Sequence, residues 1–272
     1  MSREFLMDNG ALDEYRGEGG DIVLPEEVRL VMEGAFSGCA ALTGVTIPRR
    51  VSDLRDRAFS GCPNLRTVSL PDTVITIGAH AFSGCTGLRE ILLPDSVTRV
   101  GWGAFEHCSA LETARLSARM TAVEQGLFYG CTGLIRAELP DSIREIGDEA
   151  FYCCQQLTAL AFPAELTAIG SSAFYQSGLE RTVLPAGLKK IGDSAFGNCG
   201  RLTEVELPEG LTAVEGYTFW NCRRLRSVTI PSSVTEIGDG AFEDCPELTI
   251  RAPEGSRAAE YAAEHGIRLE PC

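Results

Sequence analysis

Eleven cysteines are the most reactive side chains of this chain. Nine of them stand three residues after a phenylalanine, at Cys39, Cys62, Cys85, Cys108, Cys131, Cys154, Cys199, Cys222 and Cys245. Such an array could hold metal ions or form disulfides, but the sequence has no CxxC pair with zinc spacing and only three histidines. The spacing favours a buried structural column, in which Ser177 takes the one remaining position. We expect Cys153 and Cys272, which lie outside the column, to be the reactive thiols.

Aromatic residues form a second candidate array. The position directly after the repeated phenylalanine holds Tyr129, Tyr152 and Tyr175 in succession, and Trp220 further along. Rings in register could stack on a sugar or grip a protein. The alternative, which we favour, is that they cover a turn and fill gaps between neighbouring segments.

Catalytic motifs are not evident. The sequence has no glycine-rich phosphate loop, no metal-ligand cluster and no nucleophile elbow, and its acidic residues are spread through variable positions. We therefore predict a protein that is not an enzyme and that needs no cofactor.

A sequence repeat predicts the secondary structure that positions these side chains. Its phenylalanines are Phe36, Phe59, Phe82, Phe105, Phe128, Phe151, Phe174, Phe196, Phe219 and Phe242. Every interval is 23 residues except that from Phe174 to Phe196, which is 22. A fixed period of this length is typical of a solenoid, in which each repeat packs only against its neighbours.

Each unit reads apolar-x-x-apolar-Gly-x-x-Ala-Phe-x-x-Cys-x-x-Leu-x-x-apolar-x-apolar-Pro. The segment from Leu to the last apolar residue alternates with period two and predicts a short strand that Pro ends, so stacked copies form a parallel sheet. Six units carry Gly four residues before Phe, where we expect a tight turn. The Ala-Phe-x-x-Cys segment predicts a single α- or 3₁₀-like turn.

The two ends predict caps for the stack. Asp8-Asn9-Gly10 between apolar segments indicates a β-hairpin, and Ser256 can cap a helix that runs to about His265. We predict one solenoid domain over residues 1–272, with an N-terminal cap at 1–20, ten repeats at 21–253 and a C-terminal cap at 254–272.

The repeat resembles the BspA-like, or Treponema pallidum type, class of leucine-rich repeats. Ile146-Gly147-Asp-Glu-Ala150-Phe151-Tyr-Cys-Cys154-Gln-Gln-Leu157 is similar to that family's repeat, and the likeness extends over residues 21–253. The resemblance implies a right-handed leucine-rich solenoid. It also implies a binding role, since members often act as surface proteins that adhere to host proteins or other bacteria. Family adhesins normally carry a secretion signal and anchoring modules, which this sequence does not show.

A leucine-rich solenoid commonly binds partners on its concave sheet, so the outward strand positions are candidates. The candidate surface comprises Leu92, Arg115, Arg136, Glu138, Ala159, Ala161, Arg181, Val183, Glu204 and Glu206. These residues could equally be solvated strand positions. The sixth and seventh units, where the period falls to 22, are the preferred location for specific binding.

The net charge of the chain limits the classes of molecule that it is expected to bind. The formal net charge is −14, which repels nucleic acid and anionic lipid, and no apolar run is long enough to insert into a membrane. As the sequence stands, without an apolar leader, it predicts a cytoplasmic protein; a leader removed from the sequence would make it a surface protein. The hypothesis is a non-catalytic scaffold that binds an unidentified protein, with an exported adhesin that binds a host protein or glycan as the alternative.

Overall fold

The computed structural model describes residues 4–272, so the first three residues of the predicted cap lie outside them. The chain divides into two compact units. The first comprises residues 4–120 and Glu124–Pro140, and the second comprises Thr121–Val123 and Asp141–Cys272. Each unit is a stack of solenoid turns made of parallel strands, which confirms the predicted leucine-rich repeat fold.

The first unit contains three sheets. One begins with the antiparallel hairpin and continues through two-residue strands: β1 (Phe5–Asp8), β2 (Ala11–Tyr15), β4 (Leu30–Val31), β6 (Asp53–Leu54), β8 (Thr76–Ile77) and β10 (Arg99–Val100). The other two are formed by strands that follow the repeat leucine, here called leucine strands: β3 (Gly20–Val23), β5 (Leu42–Thr46) and β7 (Thr67–Ser69), then β9 (Glu90–Leu92), β11 (Thr113–Arg115) and β13 (Arg136–Glu138).

The second unit has the same plan. Its two-residue strands are β12 (Ala122–Val123), β14 (Glu145–Ile146), β15 (Ala168–Ile169), β17 (Lys190–Ile191), β19 (Ala213–Val214) and β21 (Glu236–Ile237). Its leucine strands β16 (Arg181–Val183), β18 (Glu204–Glu206), β20 (Ser227–Thr229) and β22 (Thr249–Ala252) form a five-stranded sheet with β23 (Arg268–Pro271). The helix α1 (Arg257–Glu264) connects the last two strands.

Two strands per repeat are therefore present in most turns, where the sequence predicts one. The additional strands, such as Thr76–Ile77, are only two residues long. A strand of two residues has no period that a sequence pattern could reveal.

Around each phenylalanine the backbone alternates two kinds of hydrogen bond. The Phe59 N–H donates to Ala81 O of the following repeat at 2.7 Å, whereas the Ser60 N–H donates to Arg57 O of its own repeat at 3.0 Å. The second kind is the predicted 3₁₀-type i→i+3 bond. The residues two before and two after each phenylalanine have positive φ, as at Arg57 (56°) and Gly61 (69°), and they prevent a continuous helix.

The glycine four residues before phenylalanine has a different role from the expected tight turn. Its φ is not positive at Gly192 or Gly238. A Cβ at Gly192 would lie 2.5 Å from Ser171 N, and one at Gly238 would lie 2.5 Å from Gly216 N. Glycine is required there because the backbone of the preceding repeat approaches closely.

The core of each unit is a stack of phenylalanine rings. In the first unit the rings of Phe36 and Phe59 lie 4.8 Å apart, and in the second those of Phe196 and Phe219 lie 5.6 Å apart, nearly parallel in both cases. These rings are fully buried. Stacking combines area burial with favourable aromatic geometry, so these positions carry much of the packing energy.

Both predicted caps are confirmed. Asn9 and Gly10 adopt positive φ in the turn between β1 and β2, and the Tyr15 ring stacks on Phe36 at 5.0 Å. At the other end the Ser256 hydroxyl accepts the Ala259 N–H as the N-cap of α1, and the Tyr261 ring packs edge-on against Phe242.

The sixth repeat departs from the pattern. Residues 157–163 form no strand, so Ala159 and Ala161, predicted to lie on one, do not. Within the described chain no backbone hydrogen bond joins residues 159–162 to β16. The seventh repeat, which is one residue shorter, lacks the second turn that other repeats have before the leucine. β16 is consequently an edge strand of its sheet.

Candidate binding surface

The cysteine column is structural in its contacts. Cys62 Sγ donates to Phe36 O at 3.0 Å, and the same carbonyl accepts the Cys39 N–H at 3.1 Å. The thiol thus satisfies the second lone pair of a buried carbonyl in the preceding repeat. The same thiol–carbonyl bond is made by Cys85, Cys108, Cys131, Cys199, Cys222 and Cys245.

All cysteines of the chain are free thiols. The predicted burial is confirmed for seven column members, whereas Cys39 and Cys245 at the two ends are half-buried. Burial raises the pKa of the Cys108 thiol to about 12 and that of Cys199 to about 11. Thiols in this state are poor nucleophiles and poor metal ligands. Residues 4–272 contain no group of three His, Cys, Asp or Glu side chains suited to a metal ion.

The aromatic array packs against itself. In the second unit the Tyr152 and Tyr175 rings stack at 5.0 Å, and Tyr175 stacks on Trp220 at 6.4 Å. Gly197 makes the second contact possible, because a Cβ there would meet the Tyr175 ring at 2.9 Å. A sugar stacks on a ring face, and these stacked faces are already covered by other rings. In the first unit Tyr129 packs edge-on against His107.

In the first unit, three side chains of the types found in a catalytic triad lie close together. Glu106 Oε1 accepts the Ser83 hydroxyl at 2.9 Å and lies 2.8 Å from His80 Nδ1, which is not aligned for a hydrogen bond. Serine and histidine therefore meet the same carboxylate oxygen. A nucleophilic triad needs histidine between serine and carboxylate, so this arrangement cannot activate Ser83.

Four of the predicted surface residues lie on neighbouring leucine strands of the first unit. Arg115 is in register with Leu92 on one side and Glu138 on the other. Glu138 forms an ion pair with Arg136 at 2.7 Å. Arg136 and Glu138 thus neutralise each other, whereas Arg115 forms no ion pair among the described residues.

Four others lie together in the second unit. Arg181 is in register with Glu204, and Val183 with Glu206. Within the described residues neither glutamate forms an ion pair, and the Val183 side chain is 87% exposed. An exposed apolar side chain and two unpaired carboxylates therefore lie together on these two strands. Ala159 and Ala161 are exposed but lie on the unpaired segment.

A groove of about 750 Å³ runs beside these four residues. Thr182 also lines it, although the sequence analysis did not include this residue. Thr182 is 7% exposed, and its Oγ1 has no hydrogen-bond partner. Other repeats carry an apolar residue at this inward position. The threonine could therefore have been recognised from the sequence as an exception to the repeat. The Thr182 side chain is on the core-facing side of β16, in register with the buried Val205, so its unpartnered hydroxyl is a cost within the core.

The family model described as the BspA type leucine rich repeat region matches residues 18–135 and 121–249 in six copies. The chain belongs to the BspA-type leucine-rich repeat family. The repeat geometry described above is therefore that family's geometry, as the resemblance implied. No helix of the described BspA-type chain is both long and apolar enough to cross a membrane.

Solved structures similar to this BspA-type chain include a leucine rich cell surface protein from Faecalibacterium prausnitzii, with 26% identity, a TM-score of 0.58 and coverage of 95% of this chain and 94% of that one. A leucine-rich repeat protein from Bacteroides ovatus has 23% identity, a TM-score of 0.50 and coverage of 97% and 94%. The pneumococcal vaccine antigen PcpA has 19% identity, a TM-score of 0.51 and coverage of 89% and 74%. The similarity to the last two structures shows a shared fold and nothing more. No curated protein matches the chain.

Proposed function

We propose that this chain is a non-catalytic scaffold that binds a protein partner through the groove beside β16. The observation that carries the proposal is the 87% exposed Val183 side chain, which lines a groove of about 750 Å³. Val183 supplies an apolar anchor for a partner.

Three further observations support this groove over the rest of the sheet. β16 has a free edge, so its backbone can take part in binding. Glu204 and Glu206 are exposed and unpaired, in contrast to the internally paired Glu138. The cysteine and phenylalanine columns are occupied by internal contacts and leave specificity to the variable positions.

The test is selection of a random-peptide phage library on the full chain, followed by affinity measurements on variants. We expect selected peptides to lose about tenfold in affinity with Val183→Asp, the loss of an interface anchor. Leu92→Asp, at the corresponding position of the first unit, is the matched control and should have no effect. Equal effects of both variants, or no enrichment of peptides, would refute the proposed site.

A second function is an exported adhesion module. It is favoured by the 26% identical Faecalibacterium structure, which is described as a cell surface protein. Protease treatment of intact cells that express the natural open reading frame tests it. Degradation of the chain without cell lysis is expected for a surface protein, and full protection contradicts it.

A further inference from the structure

Trp102 is an exposed aromatic residue at a phenylalanine turn of the first unit. It lies three residues before Phe105, and 54% of it is exposed. Among the described residues its one ring contact is with His80, whose ring centre lies 3.9 Å away in an edge-on arrangement. Tyr152 and Tyr175, in contrast, stack on each other. The Trp102 ring is therefore positioned by one neighbour and keeps a large free surface.

A carboxylate lies beside this ring. Gly103 directly follows Trp102. A Cβ at this glycine would lie 2.8 Å from both Glu106 Oε2 and His80 Nδ1, so the missing side chain lets the carboxylate and the imidazole meet next to the ring. Glu106 Oε1 accepts the Ser83 hydroxyl, whereas Oε2 has no partner among the described residues and is not sealed from solvent. A hydrogen-bond acceptor is therefore free beside an exposed aromatic ring.

A single exposed ring with a free acceptor indicates a small ligand. Among the described residues of the first unit, no other large apolar side chain at a phenylalanine turn is exposed. A protein interface of standard size buries about 800 Å² on each partner around several anchors. A sugar ring needs less, namely one aromatic face for its C–H groups and a few hydrogen bonds that fix its orientation. The surroundings of Trp102 therefore favour a saccharide over a protein.

We propose that Trp102 and Glu106 form a binding site for a neutral saccharide. The Trp102 ring stacks against the C–H groups of one sugar ring, and Glu106 Oε2 accepts a sugar hydroxyl. Acidic sugars are excluded, because the carboxylate and the net charge of −14 repel them. The site shares no residue with the groove beside β16 and does not depend on the protein partner proposed there.

Tryptophan fluorescence tests the site on the full chain. The sequence contains two tryptophans, so Trp220→Phe leaves Trp102 as the one tryptophan that emits. This variant is titrated with cellotetraose, chitotetraose and β-1,4-galactotetraose as neutral probes, and with tetragalacturonic acid as the acidic probe. We expect the Trp102 emission to shift to shorter wavelength with at least one neutral probe and to stay unchanged with the acidic one. An equal shift with the acidic probe contradicts the proposed chemistry.

Variants that keep Trp220 locate the interaction by calorimetric titration with the neutral probe that binds. Trp102→Ala should weaken binding at least tenfold, Trp102→Phe less than Trp102→Ala, and Glu106→Gln about threefold. Tyr152→Ala is the aromatic control and should have no effect, because that ring is already covered by Tyr175. No emission shift with any neutral probe, or unchanged binding to Trp102→Ala, overturns the proposal. Peptides that bind through Trp102 where no saccharide does would also overturn it, since the ring would then be a protein anchor.

Discussion

Ser177 Oγ lies 3.3 Å from Cys199 Sγ inside the buried column of the second unit. Cys199 in turn donates to Phe174 O at 3.1 Å. The serine that interrupts the cysteine period thus keeps a polar contact with the next member of the column. A hydroxyl is thus accommodated where the other repeats have a thiol.

Replacing that hydroxyl tests this requirement. Ser177→Ala should lower the free energy of unfolding by about 1 kcal/mol, because a buried polar contact is lost. Ser177→Cys, which restores the usual residue, should change it by less than about 0.5 kcal/mol. Urea denaturation followed by circular dichroism gives both values. Equal loss in the two variants would contradict a stabilising role for the polar hydrogen, which cysteine keeps and alanine lacks.

The burial of thiols predicts which cysteines react. With a thiol reagent on the native protein, the exposed Cys272 and then the half-buried Cys153 should be labelled first. The seven buried column cysteines should become reactive only after denaturation. Peptide mass spectrometry identifies the labelled sites, and rapid labelling of Cys108 or Cys131 in the native state would contradict the buried column.

Alkaline pH should destabilise the fold. The pKa of Cys108 is raised to about 12, so in the folded state it stays protonated where the unfolded thiol, with a pKa of about 8.5, ionises. Its stabilising contribution is complete below about pH 8.5 and is lost as the pH rises towards the folded value. Between about pH 8 and about pH 10 the loss for this one group is roughly 2 kcal/mol. Cys108→Ser should reduce the slope of unfolding free energy against pH, and parallel profiles would contradict the argument.

Two glycines differ in how closely the neighbouring backbone approaches their Cβ positions. Gly192→Ala should destabilise the fold by about 1–3 kcal/mol, because the new Cβ would lie 2.5 Å from the Ser171 backbone nitrogen. Gly200 has nothing within 4 Å of its Cβ position and no positive φ, so Gly200→Ala should be neutral or slightly stabilising. Thermal unfolding of the two variants compares them. A similar loss for both would argue against backbone contact between repeats.

The phenylalanine stack and the tyrosine stack should differ in energetic weight. Phe196→Ala removes a fully buried ring between Phe174 and Phe219 and should cost about 3–5 kcal/mol. Tyr175→Ala removes a half-exposed ring and should cost roughly 1 kcal/mol. Denaturant titrations measure both, and a loss for Tyr175 as large as that for Phe196 would make the tyrosine stack part of the core.

The fold was predictable because the sequence repeats. Ten copies of the same weak pattern show which positions form the strand, which form the turn and which are buried in the core. The caps were predictable from local chemistry, Asn9-Gly10 for the hairpin and Ser256 for the helix. The two-residue strands were not, since such a strand has no detectable period.

The groove was predictable only in part. Alternation identified Val183, Glu204 and Glu206 as outward residues, but the free edge of β16 depends on how the sixth repeat fails to pair with it. Ala159 and Ala161 were assigned to a strand for the same reason, since a pattern of side chains does not report missing backbone bonds. The unpartnered Thr182 hydroxyl likewise requires knowledge of its surroundings. Which of the surface residues bind a partner stays a prediction.

The hydrogen bonds around each phenylalanine also give the stack a direction. The N–H groups of Phe151 and Phe174 donate to carbonyls of the next repeat, and none of the corresponding bonds in residues 4–272 is reversed. The strands donate in the opposite direction, as the Gly192 N–H does to Ile169 O of the preceding repeat, so a run of repeats within either unit presents both donors and acceptors at each end, at different places on its cross-section. A whole repeat can therefore be duplicated in place with both sets of bonds preserved, because every repeat presents the same pattern to the next.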